Sequence, residues 1–275
     1  RNKHDIIQWL KKADNYFQAD LPEPYKYSSD TFRIEFDFVI KDSLIIRHYS
    51  SNPAESDSAH IRSEGKNIIP GSSIKGAMRS RAERILKTLA VEDQTELFSF
   101  LFGNSSTSDK DNGKRYDGSI PSRIKINEVI IKQKVEANIQ QRIKIDRFTG
   151  GTIDGALFDS MPIFSANHDI ANKLIVDLKD PIDAEIGLML LILKDLWTED
   201  LPIGGEKNIG RGILQGKKAV ISYKNWSIVI DNIDTVSSEN KNKLEKYLKA
   251  LNDADLKDHM KVMRERYYMR EAANE

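Results

Sequence analysis

The 275 residues include no cysteine. That excludes a disulfide scaffold, cysteine-ligated zinc, an iron–sulfur cluster and a thiol nucleophile, and it fits a reducing compartment. No apolar run approaches the roughly 18 residues that a membrane helix needs. The opening RNKHDIIQWLKK lacks the apolar core of a signal peptide. A cytoplasmic protein with no membrane partner is expected. The first residue is Arg rather than Met, which suggests a trimmed chain or a fragment. Net charge is also missing, because 42 Lys and Arg balance 42 Asp and Glu. That argues against a generic DNA coater. With 39% hydrophobic and 31% charged residues the chain can bury a sizeable core and is not a disordered one. Its length suits one large domain or two small ones.

The charge that is present is unevenly spread. Ile61–Ala90 carries seven bases and two acids, and Arg123–Arg147 seven bases and three acids. Gly151–Pro202 carries three bases and ten acids. Such a chain can present a basic face on a neutral body, although chance clustering on solvated faces gives the same counts. The acidic segment after Gly151 is then available to a protein partner.

Thr31–Lys41 alternates Phe32, Ile34, Phe36, Phe38 and Ile40 with Arg33, Glu35 and Asp37, the period-two pattern of a strand with one buried face. A polar stretch, Tyr49–Asn67, follows. Ser72 or Ser73 can cap a helix that places Ile74, Ala77, Met78, Arg81, Ile85 and Leu89 at helical spacing. Leu97–Phe102 is a short apolar run, and Gly103–Ser119 reads as a loop. Arg123–Gln133 is β-branched and reads as one strand. Lys134–Phe158 reads as an insertion, an extended hairpin. Leu174–Leu178 is a strand, and Pro181 opens a helix that runs to Trp197. After the glycine-rich loop Gly204–Gly212 come strands Gly212–Tyr223 and Trp226–Ile230. Asp5–Phe17 and Glu239–Arg270 read as terminal helices.

Without the two ends, the order is strand, helix, strand, strand, helix, strand. This predicts an α+β fold with a ferredoxin-like (RRM-like) β-α-β-β-α-β core. The core domain spans residues 31–230, with a loop at 104–120 and a thumb-like hairpin at 134–160. Helical extensions occupy 1–30 and 231–275. The strand RIKINEVII has no aromatic residue. If the protein binds RNA, it uses a surface other than the aromatic sheet face of RNA-recognition domains.

Three segments carry chemical information. IPGSSIKGAMRS (Ile69–Ser80) opens a helix whose N–H groups attract phosphate. Lys75, Arg79 and Arg81 in its first turns can add charge-assisted contacts. The bland alternative is a capped helix with solvated bases. GGEKNIGRG (Gly204–Gly212) has four glycines in nine residues, a backbone that an extended ligand can approach closely, with Lys207 and Arg211 adding charge. The alternative is a plain helix-to-strand turn. IDRFTGGTIDGALF (Ile145–Phe158) sets Arg147 beside Phe148, with Arg142 and Lys144 just before it, a pairing suited to phosphate contact and base stacking. Leu157 and Phe158 read as ordinary core.

These segments, together with LFG at Leu101–Gly103, resemble the RAMP superfamily of CRISPR proteins over roughly Thr31–Tyr223. The nearest likeness is to the backbone guide-RNA-binding subunit of type III effector complexes. The resemblance implies a subunit that stacks with others into a filament along a guide RNA. The helix start (Ser72, Ser73, Lys75, Arg79) and the glycine loop (Gly205, Lys207, Gly210, Arg211) would line the guide backbone. The thumb, with Arg142, Lys144, Arg147 and Phe148, would interrupt the guide–target duplex. A loop aspartate would cut target RNA with Mg2+ or another divalent cation. Asp57 stands five residues before Arg62, the family spacing, which makes it the expected catalytic residue and metal ligand. The expected partners are guide RNA, target RNA and other CRISPR effector subunits.

Other readings stay open at this point. His48 and His60 suit general acid–base work near neutral pH. A site built on them would fit the RAMP nucleases that process guide precursors without metal. Glu55 is a further candidate metal helper. A non-catalytic backbone or capping subunit would bind RNA without cutting it, and a protein-only scaffold would carry no RNA.

Overall fold

The computed structural model describes residues 30–49, 56–91, 94–103, 120–252 and 261. The expected N-terminal helix, Glu55, the loop 104–119 and the far part of the C-terminal helix lie outside these residues. Strands β1 (Thr31–Ile40), β2 (Ser43–Leu44), β3 (Arg47–His48), β4 (Ser58–His60), β5 (Arg62–Ser63) and β6 (Lys66–Ile69) precede helices α1 (Gly71–Thr88) and α2 (Gln94–Phe102). Then come β7 (Ile124–Ile126), β8 (Val129–Ile130), β9 (Val135–Ala137), β10 (Gln140–Ile145), β11 (Thr152–Met161), β12 (Ile163–Ser165) and β13 (Asn172–Lys179). The chain continues through α3 (Asp183–Trp197), β14 (Leu214–Tyr223), β15 (Trp226–Ile230) and α4 (Ser238–Lys249). The fold is α+β. No helix among the described residues is long and apolar enough to cross a membrane.

The core rests on a five-stranded antiparallel sheet in the order β15-β14-β1-β13-β7. Alternation along β1 sends Phe32, Ile34, Phe36 and Phe38 to one buried face. Phe36 packs against Trp197 of α3 at 5.7 Å between ring centroids. Helix α1 buries Ile74, Ala77, Met78, Ala82 and Leu86, one stripe at helical spacing. Each large side chain of this kind contributes about 1.5–3 kcal/mol on burial. The opposite sheet face is charged: Arg33 pairs with Asp177 at 2.7 Å and Lys173 with Glu35 at 3.1 Å. It is not a stacking platform, in line with the missing aromatics.

Three small sheets, in the orders β10-β11-β4-β3, β2-β12-β9 and β5-β6-β8, attach to this core. Here the structure corrects the sequence in one place. Arg123–Gln133 is not one strand. Ile124–Ile126 joins the five-stranded sheet on β13, whereas Val129–Ile130 pairs with β6. A β-branched run favours strand but does not name a partner. Leu97–Phe102 is the end of helix α2. The predicted insertion does contain a hairpin, β10–β11, with Ile143 opposite Leu157. Buried Gln133 fastens its root. It accepts from the Ile40 N–H at 2.8 Å and donates to the Ile40 carbonyl at 3.0 Å.

Candidate functional site

Helix α1 opens differently from the serine-capped start that the sequence suggests. Pro70 holds the N-cap position in extended geometry, and neither Ser72 nor Ser73 caps with its side chain. Gly71 is needed for closeness, because a Cβ there would collide with the carbonyl of Ile126. With the cap handled by backbone, Ser73 is free to line a cavity of about 410 Å³. Ser73, Gly76, Ala77 and Ser80 form its helical wall, and Gly204, Gly205, Glu206 and Lys207 face them from the glycine loop. Ile46 and Arg47 complete the lining. Two of the three sequence segments thus converge on one groove. Ser72 is exposed beside it.

The loop is held by two glycines that the sequence reading did not single out. Gly204 (φ +86°) and Gly212 (φ +82°) adopt left-handed backbone, and a Cβ at either would strike a carbonyl oxygen. A Cβ at Gly205 would make only ordinary contacts. Gly210 (φ +86°) is restricted by its backbone and not by space. Between them Glu206 (φ 56°) turns inward, with its side chain 5% exposed. Its Oε2 accepts from Arg142 at 2.7 Å and Arg211 at 2.8 Å, and its Oε1 from Arg47 at 3.3 Å. Burial pushes this carboxyl up, but the hydrogen bonds from Arg211 and Arg142 outweigh it and hold the group below the usual carboxylate range.

This cluster encloses one expected RNA contact, Arg211. Arg211 is 4% exposed and also donates to Ser43 Oγ at 3.0 Å and to Gln140. It braces the loop and presents no charge to solvent. Arg142 donates from Nη2 to the Glu206 carboxylate and stays partly exposed. One carboxylate cannot neutralise three guanidiniums, so positive charge is left over. Arg47, 43% exposed on the longest of the three bonds, carries that excess into the groove.

Lys75 is half-buried on α1, and burial followed by the Arg79 charge lowers its pKa. Arg79 lies over the Phe98 ring at 4.9 Å. Arg81 is bound to Asp195 at 2.5 Å. Lys207, Gly210, Lys144 and Arg147 are exposed. Phe148, at the hairpin tip, is 99% exposed, and Leu157 and Phe158 are exposed as well, not core. Arg62 is exposed and donates to Asn67 Oδ1 at 3.1 Å.

The sheet β10-β11-β4-β3 joins the groove to Asp57. Strand β3 pairs Arg47 with His60 of β4, and β4 runs parallel to β11 with Ser58 opposite Ser160. Ser58, His60 and Ser160 are buried on one face. Alternation puts Asp57 and Asp159 on the other, the face of Ile143 and Leu157. Asp57 is exposed, and its Oδ2 accepts the Asp159 backbone N–H at 2.9 Å. His60 is not placed for catalysis. It is 4% exposed; its Nδ1 accepts the Ile46 N–H at 3.2 Å, and its Nε2 contacts the Ile68 carbonyl at 3.0 Å. Those contacts assign the Nε2–H tautomer, and burial lowers its pKa to about 4. His48 is exposed on β3.

A sequence model of the RAMP superfamily matches residues 37–215. The chain belongs to the RAMP superfamily. That membership brings a CRISPR-associated, RNA-binding role, and the superfamily includes RNA-cleaving members. No curated protein gives a significant sequence match. The matched span holds the whole groove and Asp57. In this RAMP protein the sequence had not flagged Arg47, Glu206, Gly76 or Ser80. The last two were within reach, because they follow Ser73 at helical spacing. Glu206 looked like a lone acid in a basic loop, and only the fold shows that it gathers arginines.

Proposed function

We propose that this RAMP protein is a guide-RNA-binding backbone subunit of a type III CRISPR effector complex, and that it cuts target RNA at Asp57. The groove carries the reading. The small side chains of the first turns of α1, a glycine loop that a phosphodiester can approach, and the half-exposed Arg47 face one cavity. The core reads as ferredoxin-like. Its order β14-β1-β13-β7 places the fourth strand beside the first, and the first beside the third, as a β-α-β-β-α-β chain does when it closes on itself. Neighbouring effector subunits would continue the groove into a filament.

RNA supplies its own nucleophile, the 2′-OH. The Asp57 carboxylate can take that proton, with one oxygen tied to the thumb and the other open. Among the described residues no three His, Asp or Glu gather as a metal cage. A single exposed carboxylate suits Mg2+ that keeps most of its waters and leans on RNA phosphates. Bound there, Mg2+ would offset charge developing on the phosphate. Asp57 would hold it, and the groove would fix the guide so that the target strand lies across the Asp57 face. Burial of His60 favours Asp57 over a site that would need both histidines.

The test is target-RNA cleavage by the guide-loaded complex in Mg2+. Asp57→Ala is expected to abolish regularly spaced cuts while target binding persists. An unchanged cut pattern would make this a non-catalytic backbone or capping subunit.

A further inference from the structure

Asp57 sits where β4 begins, one residue before the first backbone pair with β11. The pairs are Ser58 with Ser160 and Ala59 with Met161. The next pair in that register is Asp57 with Asp159, and there the ladder changes character. The Asp57 side chain, not its backbone, receives the Asp159 N–H, at 2.9 Å. A carboxylate thus stands in for a main-chain acceptor at the end of a parallel ladder. The donor is 102 residues away in sequence and belongs to the hairpin.

We infer that the main-chain N–H of Asp159 is the positioning group for the Asp57 carboxylate, so that the hairpin orients the carboxylate it faces. The inference rests on Asp57 as the cutting residue. A free aspartate on an exposed loop end turns about two torsions, and an in-line reaction tolerates little of that freedom. The charge-assisted bond holds Oδ2 and leaves Oδ1 as the oxygen directed at RNA or a hydrated cation. The hairpin is itself anchored, by Arg142 on Glu206 and by Gln140 on Arg211. The same cluster that shapes the groove therefore fixes the strand that fixes Asp57. The Asp159 side chain has no part in this. Its Oδ1 is shielded and has no hydrogen-bond partner among the described residues.

Two substitutions separate amide from side chain. Asp159→Ala keeps the N–H, and Asp159→Pro removes it. Single-turnover cleavage of RNA complementary to the guide is measured in the assembled complex in Mg2+. Asp159→Ala keeps the amide and should cut about tenfold or more faster than Asp159→Pro. Asp159→Pro should bind target equally but cut about tenfold or more slowly, the size of one lost hydrogen bond to a charged group. Equal rates for the two variants, or faster cutting by Asp159→Pro, would overturn the inference. A second readout needs neither cleavage nor proline. Exchange of the Asp159 amide hydrogen in the full chain should quicken about tenfold or more in Asp57→Ala. Unchanged protection would overturn the inference, and this arm decides alone if the proline variant fails to load guide. Normal cutting by Asp57→Ala would bring down the functional reading itself. A dead Asp57→Ala with an active Asp159→Pro would bring down only the positioning role.

Discussion

At the residue scale, burial assigns roles that residue type alone leaves open. His60 is the type of side chain expected to move protons near neutral pH, yet it is enclosed and its two ring nitrogens are spent on Ile46 and Ile68. It pegs the strand that begins beside Asp57 to the strand that leads into α1. Its folded pKa of about 4 lies below the ordinary value of 6.5. Between those values the unfolded chain binds a proton that the folded chain does not. Stability is therefore full above pH 6.5 and falls as pH drops toward 4, by on the order of 3 kcal/mol over the whole window. Urea unfolding at pH 7.5 and 4.5 measures this. The loss should shrink in His60→Gln, which cannot titrate, and an equal loss in that variant would assign the pH dependence elsewhere. Arg211 carries the same lesson. Its basic type suggested phosphate contact, but Glu206, Ser43 and Gln140 consume its donors.

At the scale of elements, what the sequence made legible was whatever has a period. The alternation of β1 and the apolar stripe of α1 could be read directly, because one buried face imposes each pattern. The hairpin was legible through its glycines. Pairing choice was not, which is why Arg123–Gln133 divides between two sheets. Polar nodes such as Gln133 and Glu206 were illegible too, since their partners come from distant segments. The glycine loop was visible as a motif, but which glycines are indispensable depends on the carbonyls around them. Gly212→Ala places a Cβ against the Ile203 carbonyl at φ +82° and should cost roughly 3 kcal/mol or more. Gly205→Ala meets only ordinary contacts and should cost under about 1 kcal/mol. Thermal unfolding of the two variants checks the contrast, and equal losses would contradict the loop geometry.

At the scale of the whole molecule, charge is segregated in sequence but knitted together in space. The acidic segment Gly151–Pro202 commits half of its ten acids to ion pairs within the molecule. Asp177 holds Arg33, Asp195 holds Arg81, Asp183 holds Lys246 and Glu199 holds Lys41. Glu185 is buried with Arg123. These pairs tie the α3 region to β1, α1 and α4. They also withdraw five of the segment's ten acids from competition with RNA. The bases that line the groove are Arg47 and Lys207, so a protein with no net charge keeps positive charge there for a phosphate backbone.

The central claim, that RNA lies in the groove between α1 and the glycine loop, is tested most directly at Gly76. This residue lines the cavity, and a Cβ there meets nothing within 4 Å. Gly76→Glu therefore puts a negative charge into the groove without disturbing packing. It should leave thermal stability unchanged or raise it slightly, because glycine is a poor helix residue by about 1 kcal/mol. Guide-RNA affinity at fixed salt should fall about tenfold or more, through repulsion of phosphate at close range. A folded Gly76→Glu protein that binds guide RNA as tightly as its parent would contradict the account.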